Sequence, residues 1–316
     1  MIITNILLYC MSFVAIWFGA GLIIKSVDRI AKELRLSSFA VSFFVLGILT
    51  SIPEIAVSMN AVVNHKPEIF VGTLLGGTVV IFLLIIPILA ILGRGVRINH
   101  DLNTKNLLIC LGVIASPGLF IIDNRVTNLE GVLMIILYTV GFYFIQKKHG
   151  IFEENRTGVM SSRLYSFIDL AKVGAGIGIV FVSSQFIVSQ TFSFAQLLNI
   201  PAFYISIIVL SLGTNLPELS IAIRAVISGK KDIAFGDYLG SASANTLLFG
   251  VFTLINDGEV LTLNSFVVTF MFIFAGLGLF YYFAQSKKDI SRKEGIVLLV
   301  VYLLFIGYEI STGLSH

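Results

Sequence analysis

Apolar residues along this chain come in long unbroken runs, not in the alternation of a half-buried strand or the single stripe of a surface helix. Ten such runs cover residues 2–25, 38–63, 69–92, 105–122, 128–146, 167–190, 201–227, 233–255, 262–285 and 294–312. Each is near the ~20 residues that a helix needs to cross a hydrocarbon core about 30 Å thick. The pattern predicts an all-α integral membrane protein of ten transmembrane helices. The first run, from Ile2 to Ile24, lacks a basic flank and exceeds the roughly 7–15 apolar residues of a signal peptide, so it reads as a spanning helix. The longest polar stretch runs only from about Gln146 to Ser166, which leaves no soluble domain. Residues 147–166 therefore read as a linker between 1–146 and 167–316.

Composition agrees, with 57% hydrophobic and 12% charged residues, against roughly 25% charged in soluble domains. The net charge of +3 matters less than its placement. Ten spans put both termini on one side, together with the connections after spans 2, 4, 6 and 8. That side receives Lys66 and Arg125, and the opposite side receives the other 19 of the 21 Lys and Arg. By the positive-inside rule the basic side is cytoplasmic and both termini lie outside. The basic residues at 25–35 and 287–293 are placed to meet anionic headgroups. Cys10 and Cys110 sit in apolar runs, and the four histidines fall in connections or at the terminus, so neither a disulfide framework nor a metal cluster is implied. No nucleotide loop, nucleophilic triad or nucleic-acid motif appears. The sequence does not read as an enzyme, needs no cofactor, and predicts a multi-pass protein of the cell membrane whose partners are lipid and solute, functioning as a monomer.

An internal repeat sharpens this reading. "LGILTSIPEI" at 46–55 matches "LSLGTNLPEL" at 210–219, an offset of 164 residues. Without a gap, 15 of the 43 pairs between residues 34 and 76 and their offset partners are identical. Each half then carries five spans. Five is odd, so the second copy enters the membrane in the opposite sense, giving two inverted five-helix repeats. Secondary transporters are often built this way, with binding sites at the midplane where interrupted helices meet.

Spans 2 and 7 are the interrupted pair. Pro53 and Pro217 lack an N–H and clash with the carbonyl four residues back, which frees carbonyls near Leu49–Thr50 and Gly213–Thr214. Such carbonyls cannot face lipid, but they can line a cavity or coordinate a cation. Hydroxyls of Thr50, Ser51 and Thr214, the amide of Asn215, and the carboxylates Glu54 and Glu218 add oxygens beside them. Ca²⁺ takes about 6–8 oxygen ligands, and two carboxylates balance its charge. An intramembrane carboxylate is costly and is by default functional. Pro87 and Pro117 have no repeat partner and read as packing kinks.

With these residues in view, the chain resembles the cation/Ca²⁺ antiporter superfamily and, within it, the sodium/calcium exchangers. Those proteins carry G-T-S-x-P-E in each repeat, followed by a helix reading G-N-x-x-G-S-x-x-x-[ND]. Here the copies are "LTSIPE" and "GTNLPE", with "GTLLGGTVVI" (72–81) and "GDYLGSASAN" (236–245) downstream. The stretch "VDRIAKELRLSS" (27–38) also resembles the family's link between its first two helices. The resemblance implies that Glu54 and Glu218 are the central cation ligands. It further implies that Thr50, Ser51, Thr214 and Asn215 supply oxygens, that Ser241 and Asn245 approach from span 8, and that spans 1 and 6 slide against the rest during alternating access.

There are departures from the pattern. Gly77 and Ile81 stand where the family has Ser and Asn, leaving that side of the ring apolar and span 3 with close-packing glycines at 72, 76 and 77. Leu49 replaces a Gly and Asn215 a Ser. Asp237 replaces an Asn and reads either as a compensating ligand or as a solvated acid near the cytoplasmic mouth. Asp237, Leu49, Gly213, Gly77 and Thr78 are therefore further candidate site residues. The expected function is cation antiport with Ca²⁺ and Na⁺ as transported ions. A Ca²⁺/H⁺ or other cation/H⁺ antiporter, and a homologue that keeps the fold as a scaffold or ion sensor, are the alternatives, with a passive channel behind them.

Overall fold

The computed structural model describes residues 2–33, 39, 42–97, 104–148, 163–197, 205–256, 259–261, 266–287 and 289–313. Helical segments fall at each expected run. They are α1 (Ile2–Glu33), α2 (Ser42–Leu46, Gly47–Thr50 and Ile52–Val63), α3 (Pro67–Leu92), α4 (Thr104–Phe120) and α5 (Asn128–Lys148). The second half has α6 (Arg163–Leu197), α7 (Ile205–Leu210, Ser211–Thr214 and Leu216–Ile227), α8 (Lys231–Ile255), α9 (Val267–Lys287) and α10 (Arg292–Gly313). α1 and α6 outrun their apolar stretches, because hydropathy marks the edge of the hydrocarbon and not the end of the backbone hydrogen bonding. The extension of α1 carries Arg29, whose Nη1 lies 3.4 Å from Asp169 Oδ1 on α6. The linker shrinks from both ends, since α5 reaches Lys148 and α6 starts at Arg163; residues 149–162 lie outside the described set.

The offset of 164 residues persists in three dimensions. It carries the break at Ser51 onto Asn215, the start of α5 at Asn128 onto Arg292, and the helix cap Thr127–Glu130 onto Ser291–Glu294. In both caps the first residue's backbone N–H and hydroxyl donate to the glutamate, at 2.7 and 2.9 Å from Thr127 and at 2.7 and 2.7 Å from Ser291. That is a capping box used twice. The offset also relates four two-residue strands, β1 (Val96–Arg97) to β3 (Val260–Leu261) and β2 (Arg125–Val126) to β4 (Asp289–Ile290). They pair across the halves: β1 lies antiparallel to β4 with Val96 opposite Ile290, and β2 to β3 with Arg125 opposite Leu261. The repeat thus interchanges the two pairs. Arg125 also bonds Glu259, which raises the pKa of its guanidinium above the ordinary value; both side chains are solvent-exposed, so the pair adds little stability.

Burial separates centre from periphery. The most apolar 18-residue windows of α3 and α8 are 83% and 72% buried, against 39% for α9 and 28% for α10. Helices that are apolar on every side and buried belong at the core, so α3 and α8 form the axis. Outer helices instead expose large apolar residues such as Leu129, Phe274, Leu303 and Leu304, as a lipid-facing surface requires. Contact at the axis is close. A Cβ on Gly76 of α3 would meet the Ile207 carbonyl at 2.5 Å, and one on Gly240 of α8 would meet the Phe43 carbonyl at 2.3 Å. Only glycine lets the backbones of α3 and α7, and of α8 and α2, approach this far. The first segments of α2 and α7 are wide π turns, Ser42–Leu46 and Ile205–Leu210. A third, Ile81–Ile85, precedes Pro87 in α3 and accommodates the missing N–H there.

Candidate cation-binding site

Both helix breaks have the same backbone. Ser51 has φ −77° and ψ 6°, and Asn215 has φ −89° and ψ 10°, outside the helical well. Pro53 and Pro217 follow as second residues of the next helical segments. Side chains at each break satisfy part of what the interrupted helix leaves open. Thr50 Oγ1 donates to the Leu46 carbonyl at 3.1 Å and Ser51 Oγ to the Gly47 carbonyl at 2.8 Å. On the other side, Asn215 Nδ2 donates to the Ser211 carbonyl at 2.8 Å. The Asn215 N–H also turns to the Gly213 carbonyl, which therefore keeps only part of its expected freedom.

The acids lie just past the breaks. Glu54 and Glu218 are both 0% exposed, within electrostatic reach of each other. Ser241 Oγ donates to Glu218 Oε1 at 2.7 Å and approaches Ser51 Oγ at 3.4 Å. Asn215 Nδ2 donates to Glu54 Oε1 at 3.4 Å. Thr50, Ser51, Thr214, Asn215, Ser241 and Asn245 are all buried. The second oxygens of both glutamates, the carbonyl oxygen of Asn215 and the whole amide of Asn245 have no partner among the described residues. Buried polar groups are nearly always paired, and an uncompensated buried carboxylate costs several kcal/mol. A dehydrated cation would resolve both deficits. The candidate donors are thus the two carboxylates and the neutral oxygens around them.

The side of the ring expected to be apolar is not simply so. Under the repeat, Ser241 corresponds to Gly77 and Ser51 to Asn215. A Cβ on Gly77 would lie 3.0 Å from Asn215 Nδ2 and 3.2 Å from Asn245 Nδ2. The volume that a serine would take at Gly77 is occupied by the longer Asn215 side chain, and Asn215 makes to Glu54 the donation that Ser241 makes to Glu218. Two departures that looked independent in sequence are one exchange of size across the halves. Gly76, next door, has the close-packing role expected of all three glycines in α3.

Asp237 is 0% exposed, which excludes a solvated mouth acid; its Oδ1 lies 3.0 Å from Thr50 Oγ1 and shares that hydroxyl's single proton with the Leu46 carbonyl. Thr78 is buried, but its hydroxyl is taken by the Leu74 carbonyl of its own helix at 3.2 Å. Leu49 lies against a cavity of ≈ 10 Å³ shared with Thr50, Pro53 and Pro217. Ser58 is an unanticipated neighbour, fully buried with its hydroxyl unpartnered, one helical turn beyond Glu54. Its spacing of four residues from Glu54 was the available signal.

Known proteins share this architecture. The chain is 27% identical to the inner membrane protein YrbG of Escherichia coli over 77% of its length and 79% of that protein's. It is 25% identical to the sodium/calcium exchanger MaX1 of Methanosarcina acetivorans over 97% of its length and 98% of that protein's. A solved structure of the sodium-calcium exchanger NCX_Mj, soaked with Na⁺ and Sr²⁺, superposes with a TM-score of 0.82 at 23% identity, covering 97% of this chain and 99% of that one. Residues 4–146 and 170–310, nearly all of both halves, match the family described as sodium/calcium exchanger protein. With the fold of a membrane cation antiporter and both halves matched, the chain belongs to the sodium/calcium exchanger protein family.

Proposed function

We propose that this chain exchanges Ca²⁺ for Na⁺ across the cell membrane, both termini outside, by alternating access at a midplane site between the broken helices α2 and α7. One observation carries the reading: two fully buried carboxylates stand at matched positions past matched breaks, each with an oxygen lacking any described partner. Glu54 and Glu218 balance one Ca²⁺. Thr50, Ser51, Thr214, Asn215, Ser241 and Asn245 complete its shell with neutral oxygens, and Na⁺ ions take the same ligands on the return limb. The chain works as a monomer, since the site is built from its own two halves.

The test is ⁴⁵Ca²⁺ uptake into proteoliposomes loaded with Na⁺, compared with a proton gradient alone. Uptake driven by Na⁺ is the expected result. Uptake under protons only would move the protein to Ca²⁺/H⁺ exchange, and uptake under neither would end the Ca²⁺ reading. Glu54→Gln and Glu218→Gln should each reduce Na⁺-driven uptake at least about a hundredfold, because one of the two positive charges of Ca²⁺ would be left unbalanced in a buried site. Glu68→Gln, at the start of α3 and partly exposed, should leave uptake within about twofold of wild type.

A further inference from the structure

Arg224 lies in the last turn of α7, half-buried and without an acidic partner among the described residues. Its guanidinium stands instead over the ring of Trp17 on α1, 4.8 Å from the ring centre. One turn along α1, a Cβ on Gly21 would come within 3.2 Å of Arg224 Nε and Nη2. Trp17 and Gly21 thus form a notch in α1, walled by an aromatic face on one side, and the guanidinium fills it. The repeat lacks this arrangement in its other copy. The matching residues there are Asn60, Phe181 and Gln185, and the side-chain oxygen of Asn60 accepts Asn64 Nδ2 of its own helix at 2.9 Å. The half without the arginine carries no charge at that place.

The notch suits one register of α1 against α7. A shift of α1 by one turn in one direction would carry Trp17 to the place of Gly21, where even a Cβ is crowded. The opposite shift would bring up Lys25, whose charge repels the guanidinium. α1 packs on α6 and on this last segment of α7, so whatever moves α1 along its neighbours must first draw Trp17 off Arg224.

We propose that Arg224 is a positioning residue for transport: with Trp17 it latches α1 in this register, and the cation whose binding moves α1 has to break the contact. The proposal rests on the alternating-access reading in requiring that α1 move when the site fills, but not on which cation fills it. A latch of this kind works against the ion that opens it, because apparent affinity is reduced by the fraction of chains already in the competent state. Removing Arg224 should therefore tighten binding of that ion, the opposite of what damage to a merely structural contact would do.

Trp17 is the chain's one tryptophan, so its fluorescence in the purified full chain reads the contact directly. Acrylamide quenching of the ion-free wild type should rise on saturation with Na⁺ or with Ca²⁺, as the guanidinium leaves the ring. Arg224→Gln should show the higher quenching without added ion and bind the opening ion, traced as ²²Na⁺ or ⁴⁵Ca²⁺, about fivefold more tightly. Arg224→Lys keeps the cation and should stay within about twofold of wild type. Equal quenching with and without either ion, or an Arg224→Gln that binds no more tightly than wild type, overturns the latch. Should Arg224→Gln fail to fold, Trp17→Leu serves, read by tracer binding alone; the same gain is expected, and unchanged or weaker binding overturns the proposal. Quenching that responds to Na⁺ in a chain that binds no ⁴⁵Ca²⁺ supports the latch while ending the Ca²⁺ reading. Na⁺-driven ⁴⁵Ca²⁺ uptake with unmoved quenching overturns the latch and leaves that reading standing.

Discussion

At the scale of single residues, Gly77 and Asn215 define what is peculiar to this site. A side chain at 77 would be forced within 3.0–3.2 Å of two amide nitrogens, closer than ordinary van der Waals contact allows. Gly77→Ser should therefore displace Asn215 from Glu54 and weaken Ca²⁺ binding about tenfold or more. The double change Gly77→Ser with Asn215→Ser should recover most of the loss, by recreating on α3 and α7 the serine pair already present on α2 and α8. A double-mutant cycle on ⁴⁵Ca²⁺ binding should show a coupling of at least about 1 kcal/mol; additive losses would disprove the exchange of size. The two acids were legible in the sequence because a carboxylate in an apolar run has few explanations. The relation between 77 and 215 was not, since adjacency across the halves is tertiary: in the sequence Gly77 looked like a lost ligand and Asn215 like a substituted one that still supplies an oxygen.

At the scale of elements, the runs of apolar residues located the helices, and the matched prolines located the breaks. The π turns that open α2 and α7 escaped detection, because one extra residue per turn leaves a uniformly apolar run unchanged. The strand pairs escaped too, being only two residues long. Each break depends on its proline. Pro53→Ala would restore an N–H to the Leu49 carbonyl and allow a continuous helix, so thermal stability should hold or rise while Na⁺-driven uptake falls at least about tenfold. Undiminished uptake would show that the interruption is dispensable. The duplicated caps make an internal control: Thr127→Ala and Ser291→Ala should each cost about 1 kcal/mol in unfolding experiments in detergent, and by similar amounts. A loss confined to one of them would mean that the two halves do not unfold together.

At the scale of the whole molecule, α1 and α6 pack side by side through Gly19 and Gly176, where a Cβ on either would meet the other's carbonyl at 2.8 Å. Ile23 of α1 and Ile177, Val180 and Phe181 of α6 line the small cavity against Leu49, Ile52, Pro53 and Pro217 at the two breaks. If this pair slides over the remaining helices during exchange, pinning it should stop the cycle. In a chain with Cys10 and Cys110 replaced by alanine, Ile23→Cys with Ile52→Cys should be inhibited by Hg²⁺ and recover on adding thiol, whereas either cysteine alone should not respond. Continued uptake by the bridged protein would place the motion elsewhere.

The buried carboxylate of Asp237 has a thermodynamic corollary at this scale. Two identical halves, facing opposite ways, could trade conformations and yield inward-open and outward-open forms of equal free energy. With an acid at 237 but a threonine at 73, and an amide at 215 but a hydroxyl at 51, that degeneracy is broken. The empty carrier should then rest preferentially open toward one side, and its apparent affinities for the same ion should differ between the two faces of the membrane.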